Sequence, residues 1–281
     1  MTPPTQTMLK VLWPHQVRGI LDSGLSSIGG PVVRAADLPL SDPADLLRTW
    51  GWEARHPYGD PPQMTDVLRF PMHPLMRTST PSDSSGHHVP SFSRGFLPST
   101  DAVVPVFDLA LTRVPTGAEL WRLRTGEAPA LKLVYDGPAA GWRQAPSYFP
   151  PLHLVGPRAR WNGEDLPAAF RADTSQIELV HVGDGPPPGF EPVRPTVSRR
   201  IVDVAECEAV FEAVLTGRVG ELPVRVLQRA GDHSLVHVTG ISTEVATDLG
   251  AVEVEPGRFE LVTPSRTVTD LGGSTYELAS S

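Results

Sequence analysis

Apolar side chains recur at helical spacing in two short segments near the start of the chain. The first spans residues 13–24, where Pro14 suits the first helical position and Gly24 suits the end of the helix. The second is predicted to begin at Asp42, a good N-cap, with Pro43 in the first turn. The side chains expected to face the core from this second helix are Leu46, Leu47 and Trp50.

Between residues 55 and 100 these periodic patterns fade. Proline recurs throughout the stretch, and the polar run from Ser82 to Val89 predicts an exposed loop tip. Loops of this length are uncommon in compact domains, and those that occur are often functional. We therefore expect a long, proline-rich surface segment here.

From Ala102 onward the pattern is that of β-strands. Residues 118–123 and 130–135 each alternate apolar and polar side chains, as a half-buried strand does. The turn residues at 125–127 lie between them, so the two strands are predicted to form a hairpin.

The strongest structural feature of the sequence is an internal repeat. Leu166-Pro167 and the apolar run at residues 179–182 recur 56 positions later as Leu222-Pro223 and residues 235–238. Two later matches require insertions, and they pair 188–193 with 256–262 and 200–203 with 266–270. Equal spacing in the first block keeps both strands of a hairpin in register, which favours one small β fold used twice.

Together these patterns predict an α+β, mostly β protein. A mixed N-terminal region over residues 1–155 is followed by two related small β units, 156–216 and 217–281, of SH3-like or meander type. A helix over residues 203–215 is expected to join the units, because apolar side chains recur there at helical spacing. Within the second unit a further short helix is expected, with Ser242 as its N-cap.

Composition narrows the classes of protein that the chain can represent. Proline makes up 31 of the 281 residues, about twice the usual share, which disfavours an all-helical fold. The net charge of −8 argues against a nucleic-acid partner, since phosphate binding needs clustered cations. Cys207 is the single cysteine, so no disulfide within the chain and no cysteine-based metal site is expected; the thiol is predicted to be buried and inert.

The sequence also indicates in which cellular compartment the protein is expected. Residues 1–11 lack the basic and apolar regions of a signal peptide, and no run of about 18 apolar residues predicts a membrane span. The expectation is a cytoplasmic protein without a membrane partner. Arginine outnumbers lysine by 22 to 2, a bias typical of a GC-rich bacterial genome.

Common catalytic motifs are absent, and one enzymatic pattern stays open. The sequence has no nucleophile elbow, phosphate-binding loop, dinucleotide fingerprint or zinc-protease motif. Glu253-Val254-Glu255 resembles the Glu-x-Glu element of ADP-ribosyltransferases, and Arg122 on a predicted strand resembles their cofactor-binding arginine. The resemblance would imply an NAD-using enzyme with Arg122, Glu253 and Glu255 at its site. The Ser-Thr-Ser element of that family is absent between them.

Recognition of another protein is the function that the sequence favours over catalysis. Tryptophan is enriched at the centres of interfaces, and a histidine among apolar residues can line a pocket. The candidate binding residues are Trp121, Trp142, Trp161 and His73. His181 and His237, at matched repeat positions, are expected to be neutral, hydrogen-bonded strand residues. An acidic chain with no expected cofactor or metal suits an immunity or adaptor protein that masks a basic partner.

Overall fold

The structure, a computed structural model, describes residues 6–52, 63–80, 95–97, 104–152, 154–172, 174–239 and 241–278. Within these ranges the protein is mostly β and forms two antiparallel sheets. No helix in them is both long enough and apolar enough to span a bilayer. The predicted loop tip at residues 82–89 lies outside the described residues.

The first sheet contains the predicted hairpin and five other strands. Its members are β1 (Thr7–Leu12), β2 (Ser27–Arg34), β3 (Met64–Pro71), β4 (Thr78–Ser79), β5 (Phe107–Arg113), β6 (Glu119–Arg124) and β7 (Ala130–Val134). The strand order is β4-β5-β2-β1-β3-β6-β7. The pairing of β6 with β7 confirms the hairpin.

Two helices cover the opposite faces of this sheet, and the sequence located both. They are α1 (Pro14–Ser23) and α2 (Pro43–Trp50). Gly24 ends α1 in the left-handed conformation at a φ of 69°, which glycine adopts without strain. Asp42 caps α2 by accepting a hydrogen bond from the Ala44 amide at 3.0 Å. Leu46, Leu47 and Trp50 are fully buried, as predicted.

Two central strands lie where the sequence predicted none. β1 overlaps residues 1–11, for which the sequence indicated only the absence of signal-peptide features, and β3 lies inside the predicted 55–100 loop. In β1, Met8 belongs to the core under α1 and Leu9 to the core under α2. A strand buried on both faces has no alternation of apolar and polar side chains, so periodicity did not reveal it.

The second sheet contains eleven strands, and the same part of the chain forms one short helix, α3 (Thr243–Asp248). Its first five strands are β8 (Pro157–Trp161), β9 (Glu164–Phe170), β10 (Gln176–Val182), β11 (Glu191–Arg194) and β12 (Val197–Asp203). The other six are β13 (Ala209–Val219), β14 (Leu222–Ala230), β15 (His233–Thr239), β16 (Val252–Glu255), β17 (Arg258–Pro264) and β18 (Val268–Glu277). Ser242 caps α3, as predicted, by accepting from the Val245 amide at 3.2 Å.

The strand order of this sheet contains the same pattern twice. One run is β8-β9-β10-β12-β11 and the other is β13-β14-β15-β17-β16, joined through the pairing of β8 with β13. Within this order β17 corresponds to β12, whereas the matched segments 188–193 and 256–262 would make it correspond to β11. The strand correspondence that those later matches predicted is therefore wrong. The duplication of one SH3-like fold stays a prediction, since both runs lie in one continuous sheet.

The helix predicted over residues 203–215 is wrong. A single 3₁₀ turn (Val204–Glu206) is followed by β13, which pairs with β8, β14 and β18. Val210, Phe211 and Glu212 are consecutive and all buried, so the strand has two covered faces and an ambiguous periodicity. Pairing with three neighbours overrides a weak local preference for helix.

Cys207, placed on that expected helix, lies instead in the connection before β13 and is partly buried. Burial raises the pKa of its thiol to about 11, and the carboxylates of Glu206 and Glu208 act in the same direction. The thiol is therefore protonated near neutral pH, as expected of an unreactive cysteine.

Buried polar contacts join the two sheets. Glu212 on β13 accepts hydrogen bonds from the Thr112 hydroxyl of the first sheet at 2.9 Å and from the Gly156 amide at 3.0 Å. Its carboxylate also pairs with the Arg225 guanidinium of β14 at 3.2 Å. Arg113 on β5 is buried and donates to the Val155 carbonyl at 3.0 Å. Such contacts fix one sheet against the other because each buried polar group needs its partner.

Candidate functional site

A small cavity lies between the sheets, where α1 and β2 meet β15, β16 and β17. Its volume is about 40 Å³, room for a few water molecules or for the end group of a larger molecule. Leucine and isoleucine side chains of the first sheet and α1 form much of the wall. The polar side chains that line it are His15, Gln16, Ser27, His237, Glu255, Arg258 and Glu260.

An ion-pair network forms one wall of the cavity. Lys10 on β1 and Glu255 on β16 are both fully buried and form a salt bridge. Gln16 donates to the same carboxylate at 3.2 Å, and the Arg258 Nε lies 3.2 Å from its other oxygen. Arg258 also pairs with Asp108 on β5. Two cations and two carboxylates thus face one another, and their formal charges cancel.

Local backbone structure allows Glu255 to reach this position. Gly30 on β2 has a φ of 93°, a region that side chains with a Cβ rarely adopt. A Cβ at Gly30 would overlap the Glu255 carboxylate. Burial lowers the pKa of the Lys10 ammonium, and the adjacent Glu255 carboxylate opposes that change.

Glu260 on β17 lies beside this network but outside it. Its cross-strand neighbours are His237 on β15 and Val252 on β16, and residues directly opposite share a face of the sheet. Within the described part of the chain, the Glu260 carboxyl has neither a hydrogen bond nor an ion pair. Burial raises its pKa to about 7. The cavity therefore contains one carboxyl group whose charge nothing nearby compensates.

His237 is the second unpaired polar group. Its side chain is only 8% exposed, and neither ring nitrogen has a hydrogen-bond partner in the described ranges. Burial, together with the nearby Arg258 and Arg225 guanidinium groups, lowers its pKa to about 3. The imidazole is therefore neutral, as the sequence predicted, but it is not hydrogen-bonded. A neutral imidazole offers one acceptor nitrogen and one N–H donor.

The raised pKa of Glu260 makes stability depend on pH. In the unfolded chain this carboxyl has a pKa of about 4.3. In the folded protein its pKa is about 7. The folded state therefore binds this proton more tightly than the unfolded state does. The stability that the bound proton contributes is fully present below the unfolded pKa and is lost as the pH rises toward 7. We expect the unfolding free energy of the wild type to fall, relative to that of Glu260→Gln, between about pH 5 and pH 7.5. Urea titrations of both proteins across this range measure the difference; parallel profiles would contradict it.

The residues of the transferase resemblance lie apart. Arg122 on β6 makes a bidentate ion pair with Asp66 on β3, at 2.8 and 3.0 Å, and does not line the cavity that Glu255 lines. Glu255 is committed to Lys10, and Glu253 accepts a hydrogen bond from the Gly257 amide at 3.1 Å in the turn that follows. Among the described residues, the cavity that Glu255 lines contains neither Arg122 nor Glu253 in its walls.

The four candidate binding residues divide into buried and partly exposed pairs. Trp142 is buried, and its indole N–H donates to the Leu25 carbonyl at 2.9 Å. His73 is buried and stacks on Phe170 with 5.2 Å between ring centres, and burial lowers its pKa to about 3. Both therefore pack in the interior of the protein.

The other two tryptophans are partly exposed and have intramolecular partners. The Trp121 indole N–H donates to Glu119 at 2.9 Å. The Trp161 ring packs near Phe190, with the Arg200 guanidinium 4.6 Å from its centre. The tryptophans do not form a common surface with the cavity, whose lining contains none of them.

Comparison with known proteins gave no assignment, because no family model, curated protein or solved structure matches the chain. Among the described residues, no three histidine, cysteine, aspartate or glutamate side chains converge as metal ligands would.

Sequence reasoning did not single out Glu260. The only sign of it is an acidic residue between the apolar residues Phe259 and Leu261. An acidic residue at a solvent-facing strand position would give the same pattern. Only the position of β17 beside α1 and β2 shows that Glu260 lines a cavity instead.

Proposed function

We propose that this protein recognises a basic partner protein, and that the contact includes the surface formed by Val252, Glu260 and Val262 (the Glu260 surface). The observation that carries the proposal is the unpaired Glu260 carboxyl beside exposed apolar side chains. Val252 is 50% exposed and Val262 is 66% exposed. By strand register and alternation, both lie on the same face as Glu260.

Charge distribution supports a basic partner. Residues 204–281 contain 12 acidic and 5 basic side chains, while the whole chain has a net charge of −8. Most of the negative excess therefore lies in residues 204–281, the part of the chain that includes the two strands of the Glu260 surface. Complementary charge accelerates encounter with a basic protein and excludes acidic competitors.

Exposed apolar side chains next to this surface support a protein as the partner. Val245 and Leu249 of the α3 segment are exposed, lie four residues apart and share one side of the helix. Glu244 and Asp248 flank them in sequence and are also exposed. An apolar centre with a charged rim is the usual anatomy of a protein interface.

An immunity or adaptor protein acting in a bacterial cytoplasm is the class that this chemistry fits. In such a protein, the acidic surface would cover the cationic surface of its partner and keep it from other anions. No catalytic group is required of the chain for this role.

Affinity capture with matched surface variants tests the proposal. The tagged protein is incubated with lysate of its source organism in parallel with Val262→Arg and with the control Ile201→Arg, whose residue is exposed on β12 in the other run of strands. We expect a basic protein to be retained by the wild type and by the control. Val262→Arg should weaken its retention by about tenfold or more, because the substitution adds a like charge at the contact. Equal retention by all three, or capture of acidic proteins only, would contradict the proposal.

A further inference from the structure

The inter-sheet cavity combines two unsatisfied polar groups with an apolar wall. His237 is more than nine-tenths buried and has no hydrogen-bond partner in the described ranges, although buried polar groups in proteins are almost always paired. Glu260, directly opposite it on β17, has no charge partner. The two ring nitrogens of His237 and the Glu260 carboxyl line the same small space, and a ligand with hydrogen-bond donors would pair with the acceptor nitrogen and with the carboxylate.

The charges around the cavity specify the sign of that ligand. Lys10 and Arg258 are balanced by Glu255 and Asp108. Glu260 is then the only uncompensated ionisable group among the charged residues that line the cavity. Its carboxylate favours a cation, and the neutral His237 accepts a hydrogen bond without opposing the charge.

The size and the walls of the cavity specify the shape of the ligand. About 40 Å³ admits a compact end group. Ile20, Leu25, Leu111 and Val254 offer an apolar wall against which an alkyl stem can pack. A primary ammonium on an alkyl chain matches both features, because lysine-type chains bury their stem along apolar surface and have three donors at the tip.

We propose that the cavity is a socket for the ammonium group of a lysine side chain of the partner, with Glu260 as its charge partner and His237 as a second hydrogen-bond acceptor. The socket rests on the proposed function and names the group that anchors the partner. Because the Glu260 carboxyl is protonated at low pH, a bound ammonium competes with its proton. Affinity should therefore increase as the pH rises through about 7.

Titration with n-butylammonium chloride, followed by NMR signals of the His237 ring and the Glu260 carboxyl, tests the socket without the partner. We expect saturable shifts that are stronger at pH 8 than at pH 5.5. Glu260→Gln, which keeps the shape of the protonated side chain, should weaken binding by about tenfold, the loss typical of one charge-assisted hydrogen bond. The matched control Glu244→Gln changes an exposed acid on α3 and should bind as the wild type does.

Neutral and larger probes identify the chemistry of the ligand. n-Butanol should cause no saturable shift, and n-butylguanidinium should bind more weakly than n-butylammonium because its end group is larger. Equal binding of the alcohol and the amine, or an unchanged affinity in Glu260→Gln, would overturn the socket.

The two proposals fail separately. Capture of a basic partner together with no amine binding overturns the socket and leaves the proposed function standing. Amine binding that depends on Glu260, with no basic partner captured, supports a cationic socket for a free alkylamine and overturns the role in protein recognition.

Discussion

Replacing Lys10 with methionine is expected to lower the free energy of unfolding by roughly 3–5 kcal/mol, the usual cost of removing one member of a buried ion pair. Lys10 and Glu255 are both fully buried, so the remaining carboxylate could not recover its hydration. Gln16 and Arg258 would still contact it, but they would leave the oxygen that faced the ammonium without its strongest partner.

Lysine occurs at only two positions, which provides a matched control. Lys132 on β7 is exposed, and Lys132→Met should change the unfolding free energy by less than about 0.5 kcal/mol. The double variant Lys10→Met/Glu255→Gln should lose less than the sum of its two single variants, since removal of both charges leaves neither unpaired. Urea denaturation of the wild type, Lys10→Met, Glu255→Gln, the double variant and Lys132→Met measures these differences. A Lys10→Met variant as stable as Lys132→Met would show that the pair contributes nothing to the contact between the sheets.

Removal of the Glu212 carboxylate is expected to have a comparable effect. Glu212→Ala would leave the Gly156 amide, the Thr112 hydroxyl and the Arg225 guanidinium without the acceptor that they share. Loss of one partner from a buried charged pair costs about 3–5 kcal/mol, and unsatisfied buried donors add to that cost. Glu212→Gln should lose less, because its amide oxygen still accepts while the charge is gone.

Glu221 is the matched control for this prediction. Its side chain is 98% exposed and pairs with Arg218 at the surface, where an ion pair contributes about 0–1 kcal/mol. Glu221→Ala should therefore be nearly as stable as the wild type in the same urea titration. If Glu212→Ala and Glu221→Ala lose equal stability, Glu212 does not stabilise the contact between the sheets.

Local signals in the sequence located the elements whose boundaries depend on their own residues. Gly24 and Asp42 set an end of α1 and the start of α2, and Ser242 sets the start of α3, because caps satisfy backbone groups within a few residues. The β6–β7 hairpin follows from alternation, since one of its faces is less covered than the other. The mostly β character was also visible as a pattern, and so were the strands at residues 179–182 and 235–238.

Tertiary structure alone decided the remaining elements and the site. β1, β3 and β13 are covered on two faces, so their side chains show no period of two, and only pairing with neighbouring strands makes them strands. Lys10 and Glu255 are 245 positions apart, and no local pattern reports such a contact. Glu260 and His237 become a candidate site because α1 and β2 remove water from one side of their strands. The sequence determined which side chains are available, and the packing of one sheet on the other determined which of them are buried and which of them have a partner.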